Sequence, residues 1–464
     1  MTNRSRSQRV ALINPGTDQQ FAVQEPLNLG FIAAYLEKHA IEVIIIDELA
    51  GENVAERLDR FQPGFAGITA TTPLATDAYR AADLCRARGI TTVLGGVHAS
   101  VLPQEAAGHA DIVVVGEGEQ AMLDIVRENL SGGIISRPYL KDIDQVPPPS
   151  RHLMRMDFYM RTKDRIPFSY LYFVPPGTRT AAVLSSRGCP YNCTFCHNSW
   201  KGMPCRYNAP ERVIAEIKSL LADYGVRAIF FIEDSFFSNR PRLKKICELI
   251  RQEKLDFIWG GNARVNEIDP DSLRLAREAG CRQITFGFES GSDRILKVLN
   301  KRASVEQNRR AVRICKEAGL YVNGTFMIGN PTETKADIEL TEQFIMQNPI
   351  DSVGICVLTP YPGTQVWDWC RSEGLIPDRI DWSDFLYDRV SILCSRALTR
   401  QQLLRYRDRL NWLVWQKEHG STVFRDLLRH PGRLGSLALK FLRSPRGKLK
   451  KIATFLLWTL KRKH

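Results

Sequence analysis

Three cysteines, Cys189, Cys193 and Cys196, stand at C-x3-C-x2-C spacing in Arg187-Gly188-Cys189-Pro190-Tyr191-Asn192-Cys193-Thr194-Phe195-Cys196-His197-Asn198. Three thiolates on one tight loop can hold three irons of a [4Fe–4S] cube, where four cysteines would complete the ligation. The fourth iron is then open to an exogenous ligand, such as the amino and carboxylate groups of an amino acid. Zinc would need a fourth protein ligand, and His197, adjacent to Cys196, is poorly placed to supply it. Inert buried cysteines rarely cluster three in eight residues.

The elements around this loop form a pattern. Thr180-Ala181-Ala182-Val183-Leu184 is a short apolar run that reads as a buried strand, and Gly188 and Pro190 break it into the loop. From there to residue 360 strand and helix alternate six times, with strands expected at 180–186, 228–233, 256–261, 282–288, 322–328 and 352–358. Six units make a partial barrel, short of the eight that close one, with the chemistry at the C-terminal strand ends. Residues 9–130 also alternate. Strands are expected at Val10–Ile13, Ile41–Asp47, Phe65–Thr69, Thr92–Leu94 and Ile112–Val115, with an amphipathic helix from Leu27 to His39. This predicts an open parallel sheet covered by helices on both faces, with ligands at the strand C-termini. Those ends include Asn14, Thr69 to Pro73 (with Thr71), Gly95-Gly96-Val97-His98 and Gly116-Glu117-Gly118. Glycine there lets a flat or bulky ligand approach the backbone. There is no G-x-G-x-x-G after the first strand, which speaks against a nicotinamide.

Ser185 to Cys196 resembles the signature of the radical S-adenosylmethionine (radical SAM) enzymes. The resemblance implies a [4Fe–4S] cluster that passes one electron to bound S-adenosylmethionine, whose C–S bond breaks to give methionine and a 5′-deoxyadenosyl radical. It further implies S-adenosylmethionine contacts at successive strand ends: Glu233 and Asp234 toward the amino group, Arg264 toward the carboxylate, Glu289 and Ser290 toward ribose and methionine, and Gly324 and Ile328 toward adenine. A carboxylate suits a bound ammonium by charge-assisted hydrogen bonding. Glu25 to Gly30, Gly95 to Ser100 and Val115 to Glu119 resemble the cobalamin-binding domain fused to many such enzymes. That implies cobalamin contacts from Asn14, Thr71, Gly95, Gly96, His98, Gly116, Glu117 and Gly118. Older cobalamin proteins carry D-x-H-x-x-G after the second strand. Here Asp47-Glu48-Leu49-Ala50-Gly51 has no histidine, so binding without an imidazole on cobalt is implied, and His98 is assigned a structural or nucleotide-tail role.

The expected architecture is α/β: a Rossmann-like cobalamin-binding domain at 1–135, a connector at 136–178 punctuated by prolines, a radical SAM partial barrel at 179–364, and a helical C-terminal region at 365–464. The expected activity is methylation of an unactivated carbon, one S-adenosylmethionine supplying the methyl by way of the corrinoid and a second supplying the radical. A cobalamin-dependent radical cyclase or rearrangement enzyme is the alternative. A methylthiotransferase would carry three cluster cysteines in its N-terminal domain, whereas residues 1–150 contain only Cys85.

Composition bounds the partners. The chain has 464 residues, 44% hydrophobic and 25% charged, as in an ordinary soluble protein. Its eleven cysteines form no disulfide-like framework, and Thr2 to Arg9 is polar and basic, so reducing cytoplasm is expected. Of the net charge of +13, residues 421–464 hold twelve Lys/Arg against one Asp, leaving 52 against 50 upstream. The bulk is close to neutral, which speaks against a broad nucleic-acid surface. The basic tail interleaves Leu, Phe and Trp, but its apolar run Ile452–Leu460 is too short to span a membrane. Such a composition suits a helix lying on an anionic membrane surface, with a packed or solvated helix as the alternative. A small-molecule or lipid-like substrate and an electron donor such as flavodoxin or ferredoxin complete the expected partners.

Overall fold

The computed structural model describes residues 9–18, 21, 24–160, 171–175, 177–197 and 204–429, with side chains described to 417. Residues 1–410 form one compact unit, and a second begins at Asn411. The first unit holds two six-stranded sheets whose paired strands all run parallel.

The first sheet comprises β1 (Arg9–Asn14), β2 (Glu42–Asp47), β3 (Phe65–Thr69), β4 (Thr91–Gly95), β5 (Ile112–Val115) and β6 (Gly133–Ser136). Their order is β2-β1-β3-β4-β5-β6. The order reverses at β1, and ligands of such sheets bind beside the strand C-termini at that reversal. Leu12, Ile13, Ala66, Leu94 and Val113 are buried, as expected where helices cover both faces. β6 was not foreseen. Gly132-Gly133 reads as a break, and only the pairing of Ile134 with Val113 and Ser136 with Val115 makes this exposed edge a strand.

The second sheet comprises β7 (Thr180–Val183), β8 (Ala228–Phe231), β9 (Ile258–Ala263), β10 (Cys281–Glu289), β11 (Tyr321–Ile328) and β12 (Ser352–Val357), hydrogen-bonded in that sequence. All six expected strands are present, with ends displaced by up to three residues. The order is that of a partial barrel opened between its first and last strands. The connector clasps β7: Arg151 pairs with Glu216 at 2.6 Å and donates to the Ala182 carbonyl, while Glu25 accepts from the Ala182 amide. All three charged side chains are buried, so the clasp fixes geometry more than it adds stability.

The C-terminal expectation needs correction. Helix Gln365–Ser372 is followed by a largely irregular stretch, residues 373–399, that holds only the short turn Trp382–Asp384. Their aromatic side chains fill the core instead. Trp367, Trp382 and Phe385 pack together, and the Trp382 ring lies edge-on to His98 at 4.9 Å. Helix Arg400–Arg429 follows. In the second unit the Trp412 and Trp415 rings stack at 5.1 Å. The basic segment 430–464 lies outside the described residues. No helix among the described residues is long and apolar enough to cross a membrane.

Candidate functional site

The cysteine loop leaves β7 through Ser186–Arg187, which pairs antiparallel with Arg206–Tyr207. Gly188 then takes φ +100°, a conformation that favours glycine, and a Cβ there would meet Cys205 Cα at 3.5 Å. The loop is braced from three sides. The Thr194 amide donates to the Leu299 carbonyl, the Val366 amide to the Thr194 carbonyl, and Asn300 Nδ2 to the Asn192 carbonyl. Phe195 packs against the hydrophobic core. Cys193 is buried, and Cys196 keeps a solvent-exposed face within the crowded loop. Desolvation by the surrounding walls, with Asp234 and the neighbouring thiols adding to it, pushes Cys189 up to about 11 and Cys196 to about 12. As free groups these are thiols, and a metal cluster is needed to hold them as thiolates. Among the described residues no three or more His, Cys, Asp or Glu converge on a single metal ion. A cube binds each thiolate on a separate iron, so its ligands need not meet at one point.

A cavity of about 330 Å³ opens beside this loop. One wall is Leu184, Arg187, Gly188, Glu233 and Asp234; the other includes Gly95, Gly96, Gly116 and Gly118, with apolar Leu12, Phe31, Ile32 and Met122. Glu233 is buried at the end of β8. Its Oε1 accepts from Ser185 Oγ at 2.5 Å, and its Oε2 has no hydrogen-bond partner among the described residues. Burial pushes its carboxyl up to about 7, against the Ser185 hydrogen bond and the Arg242 charge. Asp234 has solvent access inside the cavity, yet the walls desolvate it enough to raise its carboxyl. An orphaned buried carboxylate oxygen facing a cavity fits a ligand ammonium. On the opposite wall a Cβ at Gly116 would find nothing within 4 Å among the described residues, and one at Gly95 only Val114 Cβ at 4.0 Å. This open floor, apolar and glycine-rich, fits the flat face of a macrocycle.

The remaining expected contacts divide. Arg264 is buried at the end of β9, stacked on Tyr191 at 3.6 Å, with Nη1 3.4 Å from Cys193 Sγ and Nη2 donating to the Lys301 carbonyl. It therefore faces the cysteine loop. Glu289 sits at φ +63° beside a register shift between β10 and β11, and accepts from Lys301 Nζ at 2.7 Å. A non-glycine residue held in that conformation marks local strain of about 1 kcal/mol. The Ser290 hydroxyl lies 3.3 Å from Thr341 Oγ1 and accepts from the Ser292 amide. Gly324 makes room for the Phe288 ring, 2.7 Å from where its Cβ would stand, and Ile328 is fully buried. None of these five lines the cavity.

Three of the cobalamin expectations also fall away from its wall. Asn14 donates to buried Asp47, which also accepts from Tyr159 at 2.6 Å. Thr71 opens the turn Thr72–Leu74. His98 is fully buried: Nε2 lies 3.0 Å from Tyr79 Oη and Nδ1 3.4 Å from Thr72 Oγ1. Its ring nitrogens are occupied inside the fold, in keeping with the structural role assigned to it. Glu117 does line the cavity, but its carboxylate is taken by Arg187 and Arg206. Sequence reasoning missed Phe31, Ile32 and Leu29, whose helical periodicity reads as core, and the Asn28–Thr69 hydrogen bond of 2.9 Å at the rim.

Two parallel sheets that turn their strand ends toward one cavity, with a three-cysteine loop on its edge, define the radical SAM class with an added nucleotide-fold domain. Residues 183–345 match the radical SAM superfamily and residues 22–126 the B12 binding domain. An uncharacterized methyltransferase of Pyrococcus horikoshii is 33% identical over 378 residues, 76% of this chain and 79% of that one. The anaerobic magnesium-protoporphyrin IX monomethyl ester cyclase of Rubrivivax gelatinosus is 28% identical over 82% of this chain and 71% of its own. The solved methyltransferase TsrM of Kitasatospora setae, with cobalamin and a [4Fe–4S] cluster bound, has the same fold at 17% identity, with a TM-score of 0.67 over 87% of this chain and 91% of that one. The chain belongs to the cobalamin-dependent radical SAM enzymes, a family of methyltransferases and cyclases.

Proposed function

We propose that the enzyme methylates an unactivated carbon of a small-molecule or lipid-like substrate. The observation that carries this is a cavity walled by glycine loops of the first sheet on one side and by Arg187, Gly188, Glu233 and Asp234 on the other. When bound, the cluster with S-adenosylmethionine supplies a hydrogen-abstracting radical and the cobalamin carries the methyl group. Cys189, Cys193 and Cys196 would hold the cluster, and Arg264, against Cys193, would lend it positive charge. The Oε2 of Glu233, unpartnered among the described residues and aided by Asp234, would accept from the S-adenosylmethionine amino group. Gly95, Gly96, Gly116 and Gly118 would seat the macrocycle, with the aliphatic floor excluding water from a reactive intermediate.

The test is mass spectrometry of anaerobic, reducing reactions with candidate substrates. S-adenosylhomocysteine together with 5′-deoxyadenosine indicates methyl transfer. 5′-Deoxyadenosine alone with a rearranged product would replace it by the cyclase reading. We further infer a cytoplasmic location, reduction by a flavodoxin or ferredoxin, and attachment of the basic tail to an anionic membrane face, the last supported by the charge of residues 421–464 alone.

A further inference from the structure

Both cofactors of the proposed reaction would be held on loops of different sheets, so something must fix one set of loops against the other. Arg187 is built to do so. It stands two residues before Cys189, yet its guanidinium crosses to the first sheet. Nη1 meets Glu117 Oε1 at 2.8 Å and Nη2 meets Glu119 Oε1 at 2.5 Å. Its Cζ lies 5.5 Å from the centre of the Phe31 ring. Arg187 and its three partners all line the cavity, so the fork is part of its wall. The strand paired with Ser186–Arg187 adds a second arm: Arg206 Nη1 meets Glu117 Oε1 at 2.9 Å and the Leu140 carbonyl at 2.6 Å. The side chains of Glu117, Glu119 and Arg206 are about 5% exposed and that of Arg187 is 12%.

A planar guanidinium that binds two carboxylates through two nitrogens is fixed in orientation as well as position. A buried ion pair contributes little net stability compared with an apolar isostere, and its best-attested use is to specify one arrangement. Glu117 and Glu119 flank Gly118, at the start of helix Gly118–Glu128 and next to the open Gly116. The fork therefore ties the cysteine loop to the glycine loop that would carry the macrocycle.

We propose that Arg187, through Glu117 and Glu119, is a positioning residue that sets the separation and tilt between the cluster and the cobalamin. The inference rests on the proposed seats of those two groups. An ammonium cannot reproduce the fork, so Arg187→Lys keeps the charge and loses the geometry. Glu119→Gln weakens one arm and leaves the Glu117 arm, shared with Arg206, in place.

The test uses the full-length protein, reconstituted with iron and sulfide and loaded with cob(II)alamin. The readout is the magnetic coupling between the reduced cluster and Co(II) by paramagnetic resonance, with Lys218→Gln, a surface substitution, as the control. Wild type and control should share one narrow distribution of couplings. Arg187→Lys and Glu119→Gln should retain iron and cobalamin but show a shifted or broadened distribution, an effect that general destabilisation with both groups still seated would not produce. Couplings in both variants identical to wild type would overturn the inference and leave the proposed function standing. Failure of the wild-type protein to take up iron or cobalamin would overturn the proposed function and the inference together.

Discussion

Cysteines of the same sequence separate by what surrounds them. Cys247, Cys281 and Cys315 lie buried in helices and strands, whereas Cys189, Cys193 and Cys196 share one braced loop beside the cavity. Alanine at any of the latter three should abolish the cluster, while Cys247→Ala and Cys315→Ala should keep full iron content, as read by iron analysis and the visible spectrum. Glu233 gives a pH signature. Its folded carboxyl is raised from 4.5 to about 7, and that of Glu333 likewise. Acids raised in this way favour the folded state while protonated, so the apo-protein should lose stability as pH rises from about 4.5 to about 7. A donating amino group favours the ionised carboxylate as its acceptor, so S-adenosylmethionine affinity of the cluster-loaded protein should strengthen from about pH 6 to about pH 8. Titration calorimetry across that range should show the slope in wild type and its loss in Glu233→Gln. His98→Ala should cost about 1–3 kcal/mol by removing a fully buried ring and its hydrogen bonds to Tyr79, which keeps Glu105, and to Thr72. It should leave the cob(II)alamin resonance spectrum unchanged, and a nitrogen signature lost on substitution would show His98 to be a cobalt ligand after all.

At the scale of elements, regular strand–helix alternation was legible because parallel strands buried on both faces read as continuous apolar runs. The cysteine spacing named the cluster loop for the same local reason. What the sequence hides is direction. Asn14 and His98 follow strands where ligand contacts are expected, but Asp47 and Tyr159 claim one and Tyr79 the other. Each partner is distant in sequence, so only folding reveals the choice. Trp382 is similar: a scattered tryptophan in the sequence, it donates to Glu105 across 277 residues. The glycines test this level best. A side chain at Gly96 would stand 2.8 Å from the Ala70 carbonyl oxygen at φ +91°, so Gly96→Ala should unfold the loop. Gly95 has room and no such strain. Gly95→Val should therefore keep the circular-dichroism spectrum and melting behaviour of wild type while weakening cobalamin retention about tenfold or more, a loss of roughly 1.4 kcal/mol in binding.

For the molecule as a whole, charge and chemistry separate along the chain. The two sheets carry the cavity in a nearly neutral body, and the tail carries the basic excess. If the tail docks on lipid, each basic side chain near an anionic surface contributes about 1 kcal/mol, screened by salt. The full chain should then co-sediment with anionic vesicles at low salt, and a version ending at Gly420 should not; equal, poor sedimentation of both would count against membrane attachment. The most direct measurement of the central claim is reductive cleavage by the protein carrying both cofactors. With about four irons and one cobalamin per chain, dithionite and S-adenosylmethionine should yield 5′-deoxyadenosine under strict anaerobiosis, and Cys193→Ala should yield none. Recovery of intact S-adenosylmethionine from fully loaded wild-type protein would contradict the account.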